Sequence, residues 1–463
     1  MFVKIEKNEL LNGISTAMRA VSFSKNQPIL GCLLMEVSND GVKLIGNNLE
    51  MSIETAKIAT NPSMDQVAGK IALDAKVFSD IVRSLPDGEI QISTDAKHLV
   101  VIKSGKSEFK ILGVNPKDFP EIKNITPAGS FVIENATLRD MIRKTIFCVS
   151  QDNAKPVLMG ALVRVSGGQS IEGADEQADD VSDEKSAKQL GGIVEMCTVD
   201  GFRISHIQSK IDYDGNDISI IIPGKTLSEI SKMLPTAKNS KVTVYFDNKR
   251  IWLFFEGTKV MSRLIDGEFI NFENMFGIES TSLARVDRAE LLSAIERATL
   301  IGERKTPVVL NVDDSFIYIS SRTEMGSMDE EVAIDSQGAK IIICFNPTYL
   351  ADFLKSTNAD QVEMSFASPL SPCIIRPVDD DNSKYLVLPL RINNATASAT
   401  AASSPTRASK SSDTVSDVEP KDDTEQKQKE SKVDDTRIVA VADETVADEA
   451  NEAETTEDER IAA

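Results

Sequence analysis

The side chains that most readily carry chemistry are scarce in this chain: two histidines, His98 and His206, and five cysteines, Cys32, Cys148, Cys197, Cys344 and Cys373. Both histidines fall in strand-like stretches far apart in sequence, so a His-based triad or a multi-His metal site lacks parts, and structural roles are expected. The cysteines are never spaced as CxxC and sit within strand or helix patterns. They read as reduced core thiols of a cytosolic protein, not as a disulfide or zinc framework. Asp379, Asp380, Asp381 and Asn382 form a calcium-like run, but the Gly and Glu that complete an EF-hand loop are missing, so a solvated hairpin turn is expected. Pro223, Gly224, Lys225 and Thr226 follow the apolar run ISIII and open a helix, as a phosphate-binding loop does. Ser219 stands where that loop needs its first Gly, which leaves no nest for phosphates. No catalytic constellation, metal set or cofactor motif remains, and the chain reads as a non-enzyme.

What the chain has instead is repetition, and the repeats must position any functional side chain. The stretch IEKNELLNGISTAMRAV at Ile5 returns as IENATLRDMIRKTIFCV at Ile133 and as VDRAELLSAIERATL at Val286, at intervals of roughly 130 to 150 residues. In each copy an acidic residue opens a helix with one apolar face: Leu10, Leu11, Ile14 and Met18, then Leu138, Met141, Ile142 and Val149, then Leu291, Leu292 and Ile295. A proline (Pro28, Pro156, Pro307) precedes a short Leu, Ile and Val run, as a strand entered from a loop does. A second helix follows, carrying Phe78, Ile81, Val82 and Leu85, with counterparts in Leu227, Ile230 and Leu234 and in Leu350, Phe353 and Leu354, and two or three strands come after it. One copy supplies a two-layer α+β domain with helices on one side of an antiparallel sheet. Three such domains are expected at residues 1–127, 128–282 and 283–392, followed by different material at 393–463.

The net charge of −21 argues against a nucleic-acid partner until its distribution is considered. Residues 393–463 hold 8 Lys and Arg against 18 Asp and Glu and no Phe, Tyr or Trp, the composition of a disordered acidic tail. An insert at 168–192 carries 7 acids and 2 lysines, as a flexible hairpin extension would, and the two segments leave about −6 of the −21 for the folded body. The start MFVKIEKNELL has no apolar h-region and no run is long enough to span a membrane, so a cytoplasmic chain without a membrane partner is expected. The polar faces of the repeated helices carry Arg19, Lys76, Arg83, Arg139, Arg143, Lys144, Lys225, Lys232 and Arg297, interleaved with acids. Singly each reads as a solvated helix face; their common position in the repeat favours phosphate contact.

Seven landmarks in order are QPILG from Gln27, SLPDGEIQI from Ser84, DFPEI from Asp118, VDGFRIS from Val199, LIDGEF from Leu264, CFNPTYLADFL from Cys344 and YLVLPLRI from Tyr385. Over residues 1–392 the chain thereby resembles the bacterial DNA polymerase III beta subunit, the sliding-clamp family. The resemblance implies a head-to-tail homodimer forming a six-domain ring, with helices inside, antiparallel sheets outside and double-stranded DNA through the hole. It implies a processivity factor without catalysis or cofactor, whose partners are the polymerase III alpha subunit, a clamp loader and other proteins bearing a Gln-and-apolar motif.

Carried over residue by residue, the DNA-facing positions are Lys25, Lys76, Arg83, Arg139, Arg143, Gln151, Lys225 and Arg297. The partner pocket between the middle and last domains would use Leu158, Val199, Gly201, Phe202, Arg203, Ile204, Ile270 and Met275. Its other wall would use Asn346, Tyr349, Leu370, Pro372, Val387, Leu388, Pro389, Leu390 and Arg391, with Asn346 holding the Gln amide. For Val199, Ile204 and Val387 a plain core role is the competing reading. Ring closure would set Phe109 against Leu300 and Ile301 of the next copy. Departures from the family pattern are Ser24 and Lys25 for a frequent Arg, Pro156 and Val157 for DNA-touching tyrosines, and Phe202, Ile270 and Asn274 for a usual His, Pro and Arg. The pocket is therefore expected to be greasier and less basic. A hydrolytic enzyme and a scaffold that never meets DNA are the competing classes.

Overall fold

The computed structural model describes residues 1–24, 26–60, 66–122, 126–167, 191–237, 240–302 and 306–391. Lys25, nearly all of the 168–192 insert and the whole 393–463 tail lie outside the described residues. The chain divides into two compact units, the first Met1–Phe276 with Asp380–Tyr385, the second Gly277–Asp379 with the residues from Leu386 onward. The first two repeats share unit 1 and the third forms unit 2.

Six α-helices stand among the described residues, two per repeat: α1 Lys7–Ala17, α2 Ala75–Ser84, α3 Asn135–Thr145, α4 Gly224–Met233, α5 Arg288–Ala298 and α6 Pro347–Ser356. Each begins where the sequence changes from strand alternation to helical periodicity. Asp74, Asp287 and Asn346 cap α2, α5 and α6 by accepting from the N–H of Val77, Glu290 and Thr348. Glu6 and Glu134 occupy the cap positions of α1 and α3 without a side-chain cap bond. The helices pack in pairs, α1 on α2, α3 on α4 and α5 on α6, each pair laying its apolar stripe on a sheet. Lys7 fastens the first pair, its buried ammonium donating to the Leu85 carbonyl at 2.5 Å and to Asp87 at 3.0 Å. Pro28 and Pro156 open single 3-10 turns, Pro28–Gly31 and Pro156–Met159, that feed the strands Cys32–Ser38 and Gly160–Ser166.

All the strand pairings described are antiparallel. In unit 1 an eight-stranded sheet runs across both repeats, joined where Met51–Glu54 pairs with Thr258–Arg263. The middle repeat's helices cover one face of it, where Ile251, Leu253, Phe255 and Val260 pack with Leu138, Met141, Leu227 and Ile230. A second sheet of unit 1 holds four strands and ends in Ser107–Leu112. All five cysteines are buried and none forms a disulfide; burial pushes the Cys344 thiol up to about 12. His206 lies in the strand Arg203–Ile211, but His98 does not fit a strand: it sits in the turn after Thr94 at φ 63°, a left-handed conformation that alternation alone does not announce.

In unit 2, Glu363 is 3% exposed and receives Arg285 at 3.0 Å and Arg376 at 2.6 Å. Burial pushes its carboxyl up, but hydrogen bonds from the two guanidiniums outweigh that and hold it below the usual carboxylate range. A depressed folded value means that the stabilisation is present above about pH 4.3, the ordinary Glu value, and is lost as pH falls through the folded one. Glu363→Gln is expected to cost about 1–3 kcal/mol at pH 7. The difference from the parent should shrink below about pH 4 in urea titrations followed by circular dichroism. A constant difference from pH 7 to 3 would refute this assignment.

Candidate functional site

The helix pairs present a polar face, and the expected basic positions on it fare differently. Lys76 and Lys225 are exposed and occupy the same place, the second residue of α2 and of α4. Among the described residues neither has an ion-pair partner. Arg83 is also exposed, 3.4 Å from Asp80. Arg139 is turned to a structural task, donating to the carbonyls of Leu234 and Pro235 at the end of α4. Arg143 pairs with Asp140 at 2.5 Å, and Arg297 with Glu330, its Nε at 2.8 Å. Gln151 is exposed in the loop before Pro156.

Of the expected pocket residues in unit 1, Val199, Ile204 and Arg203 build the turn and Gly201 permits it. Val199 and Ile204 are paired across the hairpin and 3% exposed, and Gly201 between them adopts φ 94°. The Arg203 guanidinium meets Asp200 at 2.7 Å and the Phe147 carbonyl at 2.7 Å, and lies over the Phe147 ring. Leu158 is buried in its 3-10 turn, Phe202 and Ile270 are half-buried, and Met275 is 43% exposed. In unit 2, the Asn346 Oδ1 accepts the Thr348 N–H as the α6 cap at 3.0 Å, which leaves one lone pair and the side-chain N–H groups for a ligand. Val387 and Pro389 are buried, Tyr349, Pro372, Leu388 and Leu390 half-buried, and Arg391 exposed. Leu390 is tied by its N–H to the Cys344 carbonyl at 2.7 Å, and Leu370 stands 60% exposed.

Phe109 lies on Ser107–Leu112, the edge strand of the four-stranded sheet, and is 36% exposed beside Leu112 at 76%. An edge that leaves both apolar side chains and backbone groups open is a template for another strand. Leu300 is 77% exposed in the turn Thr299–Ile301, and Ile301 is half-buried.

Sequence reading missed Asp380, which was expected to be a solvated turn residue. It does sit in the hairpin turn, but it receives Lys144 at 2.8 Å, and Lys144 also meets Asp140 at 3.0 Å. Burial pushes the Asp380 carboxyl up while Lys144 more than offsets it and holds it low. The partners are 236 positions apart, so no spacing in the sequence signals them. Among the described residues no cluster of His, Cys, Asp and Glu is arranged to hold a metal, and no helix is long and apolar enough to cross a membrane.

Sequence profiles of the DNA polymerase III beta subunit match this chain three times in order: the N-terminal domain over residues 1–123, the central domain over 187–271 and the C-terminal domain over 274–391. A solved DNA polymerase III beta subunit from Eubacterium rectale is 32% identical, with a TM-score of 0.74 over 85% of this chain and 100% of that one. The DNA polymerase sliding clamp from Bacillus subtilis is 27% identical, with a TM-score of 0.75 and the same coverage. The curated beta sliding clamp of Streptococcus pneumoniae is 28% identical over 397 residues, 84% of this chain and 99% of that protein.

Proposed function

The chain belongs to the DNA polymerase III beta subunit family and has the function of a processivity clamp, and from that premise we propose how its own residues perform it. Two copies join head to tail through the Ser107–Leu112 edge of one and the Leu300 region of the other, closing a ring with the helix pairs inside and the sheets outside. Charge supports the pairing through Lys106 beside the first edge and Glu331 on the strand Gly326–Gly338 in unit 2, since Lys103 and Lys110 are paired with Glu108, Asp329 with Arg322 and Glu330 with Arg297.

Double-stranded DNA passes through the hole without being gripped. Lys76 and Lys225 meet phosphates in passing, with Arg83 and Gln151 beside them, while the ion-paired Arg143 and Arg297 add little net field. Lys25, outside the described residues, would join them. Few mobile contacts suit a sliding protein, because each additional phosphate neutralised deepens the salt-dependent grip. Partner peptides with a leading Gln are taken up by Met275, with Leu158 and Ile270, in unit 1 and by Leu370, with Tyr349 and Pro372, in unit 2. The polymerase alpha subunit and the clamp loader are the partners this chemistry fits. The ring performs no reaction of its own and needs no cofactor.

The observation that carries this reading is the same packed helix pair occurring once in each of three repeats, together with the outermost strand Ser107–Leu112 that carries Phe109. The test is topological. After a loader acts, the protein should co-elute with nicked circular DNA in gel filtration and leave it once the circle is cut. Retention on the linear form would refute encirclement.

A further inference from the structure

On the joined sheet of unit 1, Arg250 and Arg263 stand directly opposite each other on neighbouring strands. Like charges placed so are destabilising unless something negative lies between them. Among the described residues neither guanidinium has an ion-pair or hydrogen-bond partner. Both line a cleft of about 150 Å³ with Asn47 and Glu121, and Lys249 lines the adjoining one. The nearest acid on the hairpin, Asp247, is occupied with the N–H groups of Lys249 and Arg250, at 2.7 Å each. Asp247 keeps its carboxylate charge while accepting those N–H groups, so with Glu121 two negative charges stand against three positive.

The cleft opens away from the helices. Ser262, the neighbour of Arg263, is fully buried and bonds Thr226 of α4 at 2.9 Å, so by strand alternation Arg263 projects from the opposite face. Ile251, next to Arg250, packs in the helix-side core. DNA running along the helix faces would not meet this pair.

We propose that Arg250, Arg263 and Lys249 form a docking surface for the acidic end of this same chain, residues 443–459. That segment carries nine carboxylates and no basic residue. The chain leaves unit 1 at Tyr385, and the 71 residues of 393–463 have a contour of over about 200 Å, whereas a unit this size has a radius of gyration of about 19 Å. Reach is therefore no obstacle, and tethering keeps the local carboxylate concentration high. The planar fork of each guanidinium suits a carboxylate, and nine acids among these seventeen residues let successive carboxylates engage the two arginines.

The test is zero-length carbodiimide cross-linking of the full chain, which joins an ammonium to a carboxylate only in contact, followed by mass-spectrometric mapping. Lys249 should couple to residues 443–459, and Arg250→Gln with Arg263→Gln should lower that yield about fivefold or more relative to cross-links inside the tail. Should the double variant prove unfolded by its thermal midpoint, the exposed single variant Arg263→Gln should lower it about twofold. Absence of the Lys249 coupling in the parent, or an unchanged yield in the folded variants, overturns the proposal. So does displacement of the coupling by a duplex oligonucleotide at a concentration where a free 443–459 peptide has no effect, which would assign the cleft to nucleic acid.

Discussion

Phe109→Asp is expected to convert the protein to monomers. In a two-copy head-to-tail ring the same interface occurs twice, so one substitution acts at both closures. Losing the burial of one aromatic side chain costs about 2–3 kcal/mol per interface, and about 4–6 kcal/mol over the ring is a factor of about 10³–10⁴ in the dissociation constant. On the proposed pairing the aspartate also brings a new charge toward Glu331 of the other copy. Because Phe109 is already 36% exposed, the four-stranded sheet should fold unchanged. Light scattering at micromolar concentration with circular dichroism on the same sample decides it; a folded dimer would remove the edge from the assembly. Leu300→Asp should act in the same direction from the other side.

Met275→Glu and Leu370→Glu are each expected to weaken binding of a Gln-and-apolar peptide by about 10- to 100-fold. A peptide anchor gains its affinity by burying apolar side chains against apolar walls, worth about 1.5–3 kcal/mol per large residue, and a carboxylate in the wall withdraws that gain. These two are chosen because they are 43% and 60% exposed and therefore available to a ligand without dismantling a core. Val199→Glu would lower affinity too, but through the fold, since that side chain is 3% exposed. Fluorescence anisotropy with the motif peptide of the same organism's polymerase separates the cases. Unchanged affinity in both exposed-residue variants, with thermal midpoints unaltered, would move the peptide site elsewhere.

Much of the architecture was legible from residue order alone because helical and strand periodicities are local. The six helices begin where acidic or Asn caps and prolines precede a 3.6-residue apolar period, and Asp287 and Asn346 cap as their positions suggest. The five cysteines fell in apolar runs and are buried there. Candidate site residues were harder to rank, because a basic residue on a polar helix face looks the same whether it is free or engaged. Arg139, one turn of helix from an equally basic Arg143, reaches carbonyls 95 and 96 positions away, and nothing in its own neighbourhood tells that from phosphate contact.

By itself the sequence determined the threefold repeat, the alternation of helix pair and sheet and the segregation of acid into the final 71 residues, all of which depend on neighbours within a few positions or on composition. Tertiary structure alone decided which charges remain unpaired, which strand edges stay open, and that Arg250 faces Arg263. Those depend on strand register and on contacts between residues far apart in the chain. A shift of one residue in pairing would send every side chain to the other face, and the number of such pairings far exceeds what local periodicity can select among.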